Sequence, residues 1–140
     1  MSGITSRPMK VEITRKDDQH LVVAARDVTV SIDRYAAEDE PSDGFRATEL
    51  LLGSLGACML GTAIGFARNQ EMPLEDISVS LEAESAKHPE RLESIRVTMT
   101  VTGSLTEPQL DSLRRVASRC KVHNTLADPP TLALEMRHAG

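Results

Sequence analysis

Two cysteines are the residues of this chain best suited to covalent chemistry. Cys58 lies inside an uncharged run of eighteen residues, Leu50 to Ala67, and Cys120 lies far downstream, just beyond an apolar-periodic segment. A thiolate can attack an electrophile, be oxidised to a sulfenic acid and condense with a second thiol. A thiol in apolar surroundings is ordinarily inert, because burial disfavours its anion. Either both cysteines are small core residues, or the fold brings something to Cys58 that makes it react. Cys58 sits about ten residues into a helix, beyond the first turn where the helix dipole would help it. Cys120 falls at a helix C-terminus, where the dipole opposes a thiolate, although Arg114, Arg115, Arg119 and Lys121 surround it with positive charge. His123 completes a Cys-x-x-His spacing, but a metal site needs three or four ligands. No further ligand stands at a matching spacing, so no metal and no cofactor are expected. His20, His88 and His138 read as solvent-facing or locally bonded side chains.

The elements that must position these thiols follow from periodicity. Lys10–Thr14 and Val28–Asp33 alternate apolar and polar residues, and His20–Ala25 is an apolar run between them. With short gaps, they predict a three-stranded antiparallel meander. The acidic stretch Ala36–Gly44, holding Pro41 and Gly44, is a loop. A long helix starts near Arg46–Thr48, with Glu49 in its first turn, and ends around Asn69–Glu71, before Pro73. In Asp76–Glu84, Ile77, Val79 and Leu81 alternate with polar residues, as do Ile95, Val97, Met99 and Val101 in Leu92–Thr102, which predicts a hairpin turning at Lys87–Glu90. Thr106-Glu107-Pro108-Gln109 is a capping box with proline in the first turn. It opens a helix whose apolar face is Leu110, Leu113, Val116, Ala117 and Cys120. Asp128-Pro129-Pro130 interrupts the chain, and Thr131–Met136 is a last strand. The order β-β-β-α-β-β-α-β is α+β, in one domain spanning residues 1–140.

The central helix is apolar nearly all round, so it is expected to be buried by protein on every side. Eighteen uncharged residues are also the lower limit for a membrane span, but Gly53, Gly56, Gly61, Gly65, Ser54 and Thr62 interrupt them. Gly53, Ala57, Gly61 and Gly65 recur every four residues and make one smooth face. That face serves close packing within the domain or between the helices of two copies. A net charge of −5 and only three aromatics, Tyr35, Phe45 and Phe66, give no basis for binding nucleic acid. The first ten residues lack an apolar signal core, so a cytoplasmic protein with reduced thiols is expected.

The run Thr48-Glu49-Leu50-Leu51-Leu52-Gly53-Ser54-Leu55-Gly56-Ala57-Cys58 resembles the first signature of the OsmC/Ohr family, the osmotically inducible protein C and organic hydroperoxide resistance proteins. Cys120-Lys121-Val122-His123-Asn124-Thr125-Leu126 resembles the second, with Lys121 where the family usually has proline. The resemblance covers roughly residues 10 to 138 and is closest to the general OsmC-like branch. It implies an OsmC-like fold with a long central helix, assembled as an intertwined homodimer. It also implies a thiol peroxidase that prefers organic hydroperoxides, with Cys58 as the attacking thiol and Cys120 as the resolving one. A dithiol reductant, lipoyl groups in some members, would reopen the disulfide.

The resemblance further implies an arginine beside the thiol and a glutamate that holds it. Glu49 matches the glutamate. Arg34, Arg46 and Arg26 are candidates for the arginine, with Arg34 best placed at the start of the acidic loop. Glu49 and Cys58 are nine residues apart, about 180° around a helix of 3.6 residues per turn. They can share a site only if the helix bends or two copies contribute. A non-enzymatic alternative stays open: an OsmC-fold protein that binds an apolar ligand or senses redox state, with little turnover.

Overall fold

A computed structural model describes residues 8–140. Two compact units divide between Leu51 and Leu52. In the first, β1 (Glu12–Arg15), β2 (His20–Ala25) and β3 (Val28–Asp33) form an antiparallel sheet in that order, with Val22 opposite Ser31 and Ile13 opposite Val23. The meander is the one that alternation predicts, with the first strand starting later than expected. Arg26 supplies the left-handed residue of the β2–β3 turn, at φ 56°. Beyond β3 the chain returns, and Phe45 bridges Ile32 in parallel. Gly44 is required there: a Cβ would lie 2.7 Å from the backbone nitrogen of Asp33.

Helix α1 (Ala47–Asn69) follows, its start tied by the Arg46 N–H donating to Glu49 Oε1 at 2.7 Å. In the second unit, β4 (Leu74–Ala86) and β5 (Arg91–Gly103) form a long antiparallel hairpin, with Val79 opposite Met99 and Leu81 opposite Val97. Leu55, Met59, Ala63 and Ala67 recur every four residues and sink into one core with Leu113, Ala117 and Cys120. Ile77, Leu81, Val97 and Met99 of the hairpin pack against that core. The approach of helix to sheet is close: a Cβ on Gly56 would come within 2.6 Å of Leu81 Cδ1. Helix α2 (Glu107–Ala117) opens with the expected capping box, in which Thr106 and Gln109 bond reciprocally.

Three expectations are corrected. First, α1 is long and apolar enough, by length and composition, to cross a bilayer, yet only 28% of its apolar window is buried. One stripe is covered, while Gly53, Ala57, Gly61 and Gly65 are exposed. The small residues are therefore not what packs inside the single chain. Second, α2 stops at Ala117, and Cys120 instead caps a short helix, α3 (Lys121–Ala127). Third, Thr131–Met136 is not a strand. A strand needs a hydrogen-bonded neighbour, and among the described residues none pairs with this segment, which leaves Leu132, Leu134 and Met136 exposed.

Candidate functional site

Cys58 lies beside the buried stripe of α1, next to Met59, and is half-buried. Cys120 is only 3% exposed and belongs to the same core. It is the N-cap of α3, in extended backbone (φ −73°, ψ 157°), and its Sγ accepts the His123 N–H at 3.4 Å. A thiol takes here the place normally held by a serine or aspartate oxygen. This cap turns the first N–H groups of α3, which have no partner within the helix, toward the second sulfur.

Cys58 is the sulfur that benefits. The Val122 N–H donates to it, and this bond is the main cause that draws its pKa below the ordinary thiol value. Partial burial opposes the effect. The Cys120 S–H, the Lys121 N–H and the Lys121 charge add to the lowering. Cys120 is pushed up, chiefly by burial and then by the hydrogen bond and charge of Cys58, against the His123 and Val122 N–H groups. The two thiols interact and are unequal: the thiolate is favoured at Cys58 and disfavoured at Cys120. An anion held by oriented N–H groups is a nucleophile; its neighbour is a second thiol within reach of whatever forms there.

Sequence reasoning placed both cysteines but missed the donors. The missed signal is the capping pattern in Cys120-Lys121-Val122-His123, hidden because sulfur is a rare cap. Lys121 emerges as the cation whose charge acts on Cys58.

The arginine candidates lie in the first unit. Arg34 donates to the Asp18 carbonyl and sits 5.4 Å over the Tyr35 ring. Arg26 is exposed in its turn. Arg46 pairs with Glu38 and lies 3.4 Å from Glu49 Oε2. Among the described residues Glu49 pairs with Arg46 rather than with Arg34, and the Glu38 and Glu49 hydrogen bonds raise the Arg46 pKa further.

Among the described residues, one group could offer ligand atoms to a metal ion: His20, Asp33 and Asp43, within 4.8 Å of one another. Their atoms are already engaged. His20 bonds Asp17 through Nδ1 at 3.0 Å and Asp43 through Nε2 at 3.1 Å. Asp33 accepts from Ser42, Tyr35 and Gln19. The cluster ties the end of the β1–β2 turn to the loop before α1.

The family model of OsmC-like proteins matches residues 37–135. No curated protein matches the chain. Among solved structures, an OsmC-like protein from Mycoplasma pneumoniae is similar at TM-score 0.78 and 18% identity, covering 89% of this chain and 91% of that one. An organic hydroperoxide resistance protein OsmC from Legionella pneumophila is similar at TM-score 0.68 and 16% identity, covering 89% and 93%. An organic hydroperoxide resistance protein from Elizabethkingia anophelis is similar at 0.66 and 12%, with the same coverage. At such identities these structures speak for the fold, and the family match speaks for descent: the chain belongs to the OsmC-like protein family.

Proposed function

We propose that this protein is a thiol-dependent hydroperoxide reductase, acting preferentially on organic hydroperoxides through a Cys58–Cys120 disulfide. One observation carries the proposal: Cys58 packs against the core that holds Cys120, with its pKa lowered by the first N–H groups of α3 while burial raises that of Cys120. The Cys58 thiolate attacks the distal oxygen of ROOH. The O–O bond breaks, the alkoxide takes a proton to leave as ROH, and Cys58 becomes a sulfenic acid. Cys120 attacks that sulfur, the S–O bond breaks, and water leaves as the disulfide forms. An external dithiol reductant then reopens the disulfide by exchange.

The apolar core against which Cys58 packs supports an apolar substrate, and a cleft of about 460 Å³ in the same unit is lined by Met59, Val97, Met99, Leu110 and Leu113 together with Arg114 and Ser118. We further propose a homodimer, in which the open small-residue face of α1 meets its counterpart and the Arg46 held by Glu49 serves a thiol of the second copy. The same cleft also favours an alternative, a binder or redox sensor with little turnover.

The test is peroxide consumption with cumene hydroperoxide, followed by disulfide mapping. Cys58→Ser should abolish consumption, and Cys120→Ser should allow Cys58 to proceed to sulfinic acid. Consumption by Cys58→Ser, or no Cys58–Cys120 linkage after oxidation, refutes the enzyme. Stoichiometric oxidation without turnover in the presence of a dithiol selects the sensor.

A further inference from the structure

We propose that His123 is the general base that takes the proton of Cys120 when this thiol attacks the oxidised Cys58; the inference rests on the hydroperoxide-reductase function above. In the resting protein the Cys120 S–H donates to Cys58. Once Cys58 carries an oxygen, that acceptor is spent, and Cys120 must lose its proton elsewhere to become a nucleophile. Cys120 sits in the core, where a thiolate is disfavoured unless its proton is accepted as it reacts.

Among the described residues, one buried side-chain nitrogen or oxygen has no hydrogen-bond partner, and it is His123 Nδ1. A buried acceptor without a donor is costly and marks a group with a task outside the resting state. His123 is also in place. Its own backbone N–H bonds Cys120 Sγ at 3.4 Å. Nδ1 is the ring nitrogen attached to Cγ, so it belongs to the residue whose own N–H already meets the sulfur. An imidazole is the side chain best suited to exchange a proton near neutral pH. The Lys121 charge acts on Cys58, and the Cys58 charge acts on Cys120.

The step balances. Nδ1 takes the Cys120 proton as the sulfur–sulfur bond forms and the Cys58 S–O bond breaks. The departing hydroxide takes the proton back from the imidazolium and leaves as water. Cys58 is reduced and Cys120 oxidised by the same electron pair, so no further reagent is needed.

The experiment oxidises reduced protein with one equivalent of cumene hydroperoxide. Quenched mass spectrometry with dimedone follows Cys58 sulfenic acid and the disulfide separately. In His123→Gln and His123→Asn, the disulfide rate constant relative to the sulfenic rate constant should fall on the order of a hundredfold near neutral pH. The disulfide step should also rise about tenfold per pH unit, as for a thiol ionising without a base, a steeper dependence than that of the wild type. A merely structural role for His123 would not change that slope. Disulfide formation in both variants with the wild-type rate and slope overturns the proposal. So does a wild-type step that itself rises tenfold per pH unit, a measurement that needs no variant to fold. If the wild type forms no sulfenic acid at all, the hydroperoxide-reductase function fails first and the proposal falls with it.

Discussion

Lys121→Pro tests whether the α3 N–H groups make Cys58 reactive. The substitution installs the residue usual in the family, and the backbone is ready for it. Lys121 is the first residue of α3, where proline fits because its N–H is not needed by the helix. Cys120 is already extended, as a residue before proline must be. Two supports of the Cys58 thiolate vanish together, the Lys121 N–H and the ammonium charge, while the Val122 N–H remains. A hydrogen bond to a charged group contributes about 1.5–3 kcal/mol. Because Cys58 is half-buried and partly screened by solvent, the lower value applies. At 1.36 kcal/mol per tenfold, that reduces the thiolate population about twelvefold. A more basic thiolate is a better nucleophile, with a Brønsted slope near 0.45, which leaves a net loss of about fourfold in rate. Lys121→Met keeps the N–H and removes only an exposed charge, so its effect should be smaller and fade in high salt. The assay is iodoacetamide alkylation of Cys58, read by peptide mass spectrometry on the acid limb of the pH profile. Alkylation in Lys121→Pro as fast as in the wild type at every pH would refute the role of α3 in activating Cys58.

Arg46→Ala should slow the peroxide step more than Arg34→Ala, since Glu49 holds Arg46 whereas Arg34 is spent on Asp18 and Tyr35; stopped-flow oxidation decides, and the reverse order would return the role to Arg34. Gly61→Leu should convert the proposed dimer to a monomer in light scattering, because among the described residues no other part of the chain lies within 4 Å of a Cβ there and the cost falls on a second copy; an unchanged dimer mass places the interface elsewhere. Asp17 and Asp43 raise the His20 pKa, Asp17 foremost. A raised histidine adds stability that is complete below its unfolded value of about 6.5 and is lost as pH rises through the folded value. Thermal midpoints should therefore drop across the neutral range in the wild type and less in His20→Gln; equal slopes would show that the cluster is not linked to folding.

The elements legible in the sequence are those whose apolar residues alternate or recur over enough length. Val28–Asp33 stands where alternation puts it and His20–Ala25 where its apolar run does, and the β4–β5 hairpin differs only at its ends. The α2 start was legible because Thr106 and Gln109 form a complete capping box. Helix α3 was not, because its seven residues are too few for periodicity and its cap is a sulfur. That omission reversed the electrostatics of the site: a helix end was expected at Cys120 where a helix beginning stands. The burial of α1 was misjudged for a different reason. An apolar composition says that a surface needs covering, but not whether the cover comes from the same chain. The exposed Leu132, Leu134 and Met136 teach the same lesson, since alternation identifies a strand-forming segment without supplying the neighbour it needs.

The sulfur that ties off α3 is also the one that would close onto Cys58. A disulfide sulfur is a poorer acceptor than a thiol, and its direction is set by its new bond. Oxidation would then untie the knot at the head of the helix, so that the first turn of α3 carries a record of what the cysteines last met, visible to any molecule that touches that turn.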